Sequence, residues 1–266
     1  MSHRDITWVD SLPPFRLFAD IIHCLSRLDS KLMSIPQLAH TIEHEPSIAA
    51  KLIAAANSPY YSPNRPITNI SSAIMLMGLS STKSFLLRTI MKDRFRSKCY
   101  RFDHVRYWFD TIMVARLVPA IAKRTESVPH QDDSDYLYTL GLLHSIGVLL
   151  LVNQFPDEME KILMNVHIND AISETFGMDY YEISANLLEH WDMPQELTMP
   201  IFHLSQDPAS MRESYLLMLS KKALDSFMYN QPCDDQQLSM LFESSEFIEE
   251  LHSIHEEVID SIRLLQ

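Results

Sequence analysis

Tyr136-Leu-Tyr-Thr-Leu-Gly-Leu-Leu-His-Ser-Ile-Gly-Val-Leu-Leu-Leu-Val-Asn-Gln-Phe-Pro156 runs for 21 residues without a formal charge. That length is enough to cross a bilayer. His144, Ser145, Asn153 and Gln154 interrupt it, however, and both flanks are acidic: Asp132, Asp133 and Asp135 before it, Asp157 and Glu158 after it. Spanning helices usually carry Lys or Arg on one flank instead. The stretch reads as a single helix, apolar nearly all round, buried at the centre of a globular protein and not crossing a membrane.

The rest of the 266-residue chain agrees with a helical reading. It holds only 4 glycines, where average usage gives about 18. Gly78, Gly141, Gly147 and Gly177 form neither a dinucleotide-binding nor a P-loop pattern. An all-β fold needs more turn glycines than this. Phe15, Phe18, Ile21, Ile22, Leu25 and Leu28 make one helical face behind Leu12-Pro13-Pro14. Ser34-Ile-Pro-Gln37 is a capping box, and Pro46 separates the helix it opens from the next, Ser47 to Asn57. Two apolar helices hinged at Gly78 are expected between Asn69 and Leu87, one long helix over Asp103 to Arg124, and shorter ones up to Leu204. The tail from Ser210 gives three more.

Charge and cysteine usage narrow the setting. The net charge is −13, which disfavours general nucleic-acid binding. Cys24, Cys99 and Cys233 are scattered and odd in number, so they build neither a disulfide framework nor a C-x-x-C site, and a reducing cytoplasm is the expected compartment. Met1 to Asp10 has no apolar signal core.

Two adjoining blocks carry a family resemblance. They are Ile48-Ala-Ala-Lys-Leu-Ile-Ala-Ala-Ala-Asn-Ser-Pro-Tyr-Tyr61 and Pro66-Ile-Thr-Asn-Ile-Ser-Ser-Ala-Ile-Met-Leu-Met-Gly-Leu79. Together they resemble the opening of the bacterial HDOD domain. Gly141-Leu-Leu-His-Ser-Ile-Gly-Val-Leu149 is similar to its G-L-L-H-D-I-G segment. Phe176-Gly-Met-Asp-Tyr-Tyr-Glu-Ile-Ser-Ala185 and Leu188-Glu-His-Trp-Asp-Met-Pro194 match later blocks, so the resemblance covers about Ser11 to Leu204. It implies an all-α fold: an N-terminal helical bundle over 11–98, a degenerate HD-like helical part over 99–206, and an acidic helical extension over 207–266.

The family is related to the HD metal-dependent phosphohydrolases and is regarded as a signalling module whose metal site is often lost. The resemblance places the first ligand histidine at Asp110, the His-Asp pair at His144-Ser145, and a later histidine at Tyr180. Where related proteins carry two further histidines it leaves His203. A hydroxyl is a poor ligand for Mg²⁺ or Mn²⁺ beside a carboxylate. No metal or other cofactor is therefore expected. These five residues make a vestigial cleft, with Asn57 and Trp191 as supports and Asn57 packed where the two helical sets meet. The buried His144 is expected to satisfy a backbone carbonyl or a Tyr hydroxyl.

Other groupings favour plain roles. His40 and His44, at i, i+4, lack the order of a zinc protease motif and read as a solvated face. Glu249-Glu-Leu-His252 has no second copy to build a di-iron site. The basic stretch Ser81 to Arg106 reads as a solvated face and linker, with docking of the acidic tail as a further reading. Phe247, Leu251, Ile254, Val258 and Ile262 form a stripe expected to pack on the protein's own core, or else on a partner.

The expected function is a non-catalytic, cytoplasmic bacterial regulator acting through a protein partner, with a small anion or nucleotide as a ligand of the old cleft. With no receiver, cyclase or kinase segment it reads as a stand-alone module. The alternative is a divergent metal-dependent phosphohydrolase acting on a nucleotide or phosphomonoester, with Asp110 and His144 as residual ligands.

Overall fold

The computed structural model describes residues 34–43, 46–61, 63, 65–79, 81–82, 85–86, 89, 99–125, 134–190 and 193–263. The helix expected over 15–28, most of the basic stretch, Cys24, His44 and Trp191 lie outside them. Among the described residues the fold is all-α, without a strand.

Three helices open it: α1 (Ile35–Glu43), α2 (Pro46–Ala56) and α3 (Ile70–Met77). Half of the expected capping box forms, since the Ser34 backbone N–H donates to Gln37 Oε1 at 2.8 Å. Asn69 caps α3, accepting from the Ser72 N–H at 2.8 Å. Gly78 ends α3 at φ 77°, and Thr82 N donates to the Gly78 carbonyl as a helix restarts. The hinge is thus where the sequence puts it.

The larger set is built on α4 (His104–Thr125), which is 22 residues long. Around it stand α5 (Ser134–Leu143), α6 (Ile146–Gln154), α7 (Pro156–Ile162), α8 (Ile168–Phe176), α9 (Tyr180–His190) and α10 (Gln195–Gln206). They are followed by α11 (Arg212–Tyr229), α12 (Gln236–Phe242) and α13 (Ser245–Arg263). Helix α4 packs against α5, α11 and α13, while α9 packs against α6 and α10.

The uncharged stretch is not one helix. It breaks at His144-Ser145 into α5 and α6, with Ser145 at φ −119° and ψ 16°. Two glycines bracket the break and explain it. A Cβ on Gly141 would meet Ala115 Cα of α4 at 2.5 Å, and one on Gly147 would meet the Tyr180 carbonyl of α9 at 2.7 Å. Each half therefore lies backbone to backbone against a different helix, a closeness that only glycine allows. Tyr136–Gln154 is long and apolar enough to cross a membrane, but 83% of its most apolar window is buried within the protein.

The N-terminal N–H groups of α6 need acceptors. That of Gly147 donates to Ser184 Oγ of α9 at 2.8 Å, while the Ser184 hydroxyl donates to the Tyr180 carbonyl at 2.6 Å. Ser184 is fully buried. Replacing it with Ala leaves a buried N–H unpaired, and such a group costs about 1–3 kcal/mol. We expect Ser184→Ala to lose that much stability in urea unfolding; a change under about 0.5 kcal/mol, typical of an inert surface site, would contradict the pairing.

A proline inside α10 leaves a similar gap. Pro200 has no N–H for the Glu196 carbonyl, and the Tyr136 hydroxyl donates to that carbonyl at 2.6 Å. The acidic tail also docks on the core. Phe247, Leu251, Ile254, Val258 and Ile262 of α13 are all buried. Arg124 of α4 pairs with Glu250, and Arg116 with Glu257 at 2.9 Å. The tail is thus held by arginines within α4. Of the basic stretch, Arg101 turns to Glu160 at 3.3 Å and Arg106 to Asp110 at 3.7 Å.

Candidate functional site

The helix break places His144 and Ser145 in a buried corner between α4 and α9. His144 Nδ1 is 2.7 Å from the Gly141 carbonyl. A carbonyl only accepts, so Nδ1 carries a proton. Burial pushes its pKa down to about 3, and the Lys221 ammonium acts in the same direction. The imidazole lies 6.4 Å, centroid to centroid, from the Tyr181 ring, which lies 4.1 Å from the Tyr180 ring at a tilt of 44°. The sequence expectation that His144 satisfies a backbone carbonyl is met.

Ser145 stands where the family pattern has a carboxylate, and its surroundings are neutral hydroxyls. Its Oγ is 3.4 Å from Thr111 Oγ1 and 3.4 Å from the Tyr107 hydroxyl, which in turn donates to the Ser145 carbonyl at 3.2 Å. Burial raises the Tyr107 pKa well above the ordinary tyrosine range, so this corner stays uncharged.

Asp110 lies on α4, and both its oxygens are engaged. The Tyr229 hydroxyl donates to Oδ1 at 2.5 Å, and Arg106 Nε is 3.7 Å from Oδ2. Arg106 also lies over the Tyr229 ring at 4.6 Å. Burial pushes the Asp110 carboxyl up, while Tyr229, Arg106 and Lys221 pull it back. Burial and Asp110 together push the Tyr229 hydroxyl up to about 12. Tyr229→Phe removes the donor and leaves Asp110 to Arg106 and Lys221. A hydrogen bond to a charged group contributes about 1.5–3 kcal/mol. We expect a loss of that order in denaturant midpoint analysis, and an unchanged midpoint would rule the contact out as a tie.

Tyr180, at the start of α9, is buried. Its backbone N–H donates to Asn169 Oδ1 at 3.1 Å, and Asp179 caps the helix through the Glu182 N–H at 2.9 Å. Lys221 of α11 extends toward it, with Nζ 5.9 Å from the ring centroid. The Tyr180 hydroxyl, Asp225 and Asp110 together hold the Lys221 ammonium above the usual lysine range, against the effect of burial.

The structure therefore brings Asp110, His144, Ser145 and Tyr180 into one neighbourhood, and α11 adds Lys221, Asp225 and Tyr229 to it. Sequence reading missed those three because they lie past residue 206, outside the family blocks. Their i, i+4, i+8 spacing on one helix face was the available signal. His203, near the end of α10, has Nδ1 2.9 Å from Ser210 Oγ and its ring edge-on to Phe202. Asn57 is exposed instead of packed between helical sets. Its amide ties off the loop after α2, donating to the Ile67 carbonyl at 2.8 Å and accepting from the Ile67 N–H at 2.9 Å.

The donor set does not fit a divalent ion. Mg²⁺ and Mn²⁺ take several hard oxygen donors. Here one carboxylate position is a hydroxyl, and the other carboxylate accepts from the Tyr229 hydroxyl and pairs with Arg106. Among the described residues no group of three or more His, Cys, Asp or Glu is arranged to hold a metal.

Comparison with known proteins agrees with this architecture. A crystal structure of a candidate phosphohydrolase from Shewanella amazonensis SB2B overlays with a TM-score of 0.71 at 21% identity, covering 98% of this chain and 97% of that one. The overlay thus includes the helices past residue 206. An HDOD domain protein with unknown function from Geobacter sulfurreducens gives 0.69 at 19% identity, covering 91% and 90%. A candidate signal transduction protein from Marinobacter aquaeolei VT8 gives 0.71 at 20% identity, covering all of this chain and 61% of that one. An uncharacterized protein of Treponema pallidum (strain Nichols) is 24% identical over 204 residues, or 70% of this chain. The match covers only 38% of that relative's length. Residues 14–206 match the HDOD domain family, and the chain belongs to it.

Proposed function

We propose that the protein is a non-catalytic regulatory module that passes a signal in the bacterial cytoplasm through contact with a protein partner. The observation that carries this reading is the His144-Ser145 corner. The pair that would activate a metal-bound water lacks its carboxylate, and the Ser145 hydroxyl is absorbed into a neutral network with Thr111 and Tyr107. Metal-assisted hydrolysis needs a cation with an open position for water. Asp110, engaged by Tyr229 and Arg106, does not supply one. A small anion or nucleotide entering the cleft would act by changing the surface offered to the partner.

The test is phosphate release from a panel of phosphorylated nucleotides and phosphomonoesters, in the presence of Mn²⁺, Mg²⁺ or Fe²⁺. The expected result is no release above a protein-free control, with Asp110→Ala and His144→Ala indistinguishable from the parent. Release that disappears in both variants would establish the phosphohydrolase instead.

A further inference from the structure

We infer that Lys221 is the resident cation of this cleft, its ammonium standing over Tyr180 and one helical turn from Asp225, on the helix that ties down Asp110, in place of a divalent ion. The inference deepens the regulatory reading and rests on it. Four observations converge. First, α11 packs on α4, and the facing residues are periodic on both: Arg106 and Asp110 on α4, Lys221, Asp225 and Tyr229 on α11. Second, the two helices are locked at one end by the Tyr229–Asp110 hydrogen bond of 2.5 Å and by Arg106 over the Tyr229 ring. Third, Lys221 lies two turns back along α11 and reaches α9, with Nζ 5.9 Å from the Tyr180 ring. Fourth, a positive charge at Lys221 favours the ionised carboxylate of Asp110 and the neutral imidazole of His144, the two residues the family pattern would assign to metal ligation.

The charge balance follows. Two cations, Arg106 and Lys221, meet two carboxylates, Asp110 and Asp225. Bringing a divalent ion into this group sets it against the ammonium. Removing Lys221 leaves two carboxylates short of a counter-charge, and like charges at close range in a partly buried site disfavour the folded state. The cation also comes from beyond residue 206, so the last helices complete the cleft of the family domain.

A double-mutant cycle reads this directly. Lys221→Met keeps the apolar stem and removes the charge; it is expected to lower Tm by several degrees, while Lys221→Arg costs markedly less. Asp110→Asn in the Lys221→Met background is expected to cost less than Asp110→Asn alone, because the carboxylate it removes is the one left unpaired. Additive losses, or equal damage from Arg and Met, would overturn the assignment. Should Lys221→Met not fold, the Lys221→Met/Asp110→Asn double variant decides: a folded double variant supports the assignment, and an unfolded one overturns it.

A second arm follows the free Mn²⁺ spectrum in paramagnetic resonance as the parent protein is added. The expected signal at equimolar protein is undiminished. A loss of signal that Asp110→Ala reverses would overturn the inference, and would leave the regulatory reading standing unless phosphate is also released.

Discussion

Gly147→Ala is expected to destabilise the protein by about 3 kcal/mol, near the upper end for overpacking in a well-packed core. The added Cβ would lie 2.7 Å from the Tyr180 carbonyl and 2.9 Å from the Ser184 N–H nitrogen. Both are backbone atoms, so relief requires α6 and α9 to move apart. Gly141→Ala is expected to cost a similar amount, since its Cβ would sit 2.5 Å from Ala115 Cα. Gly78 provides the contrast. It has positive φ, 77°, with ψ 159°, a combination essentially reserved for glycine, but nothing within 4 Å of an added Cβ, so Ala there carries a backbone penalty of about 1–3 kcal/mol and no clash. For a domain of 150–250 residues each kcal/mol moves Tm by about 2–4 °C, which makes these losses readable by thermal unfolding. Losses under about 0.5 kcal/mol at Gly141 and Gly147, typical of an inert site, would show that the close approaches are not what fixes the His144-Ser145 corner.

Acidification is expected to destabilise the protein through His144. Its folded pKa is about 3 because burial disfavours the imidazolium, against about 6.5 in the unfolded chain. Between these values the unfolded chain binds a proton that the folded protein does not. The stability is therefore complete above pH 6.5 and falls by roughly 1.4 kcal/mol per unit below it. At about pH 5 the loss from this group is roughly 2 kcal/mol relative to neutral pH. His144→Gln removes the titration while keeping a side chain able to donate to the Gly141 carbonyl. Urea unfolding of parent and variant at both pH values isolates the term: the parent should lose roughly 2 kcal/mol more than the variant. Parallel losses would place the titration elsewhere.

The helical class was legible because glycine scarcity and the 3.6-residue period act locally, and because the α13 stripe is the sort of face that buries itself. Its five apolar residues do so. The break within Tyr136–Phe155 was not legible. Apolar periodicity does not distinguish one continuous helix from two with a kink, and the decisive feature is tertiary: Gly141 fits Ala115 and Gly147 fits Ser184. Asn57 stands in a family block, yet its hydrogen bonds to Ile67 serve the adjoining loop. His203 sits at a turn next to Ser210, a placement fixed by where α10 ends. The contribution of α11 was hidden for a different reason. Lys221, Asp225 and Tyr229 carry no chemistry in a local window and gain it only by facing Arg106 and Asp110 across a helix pair separated by more than a hundred residues in sequence.

The central claim is that this cleft holds its own charges in balance and takes no divalent ion. The most direct measurement is elemental analysis of the purified, untagged protein after incubation with Mn²⁺, Fe²⁺ or Mg²⁺ and desalting. The account predicts metal well below one ion per chain, unchanged in His144→Ala. Near one ion per chain, lost in His144→Ala, would contradict it.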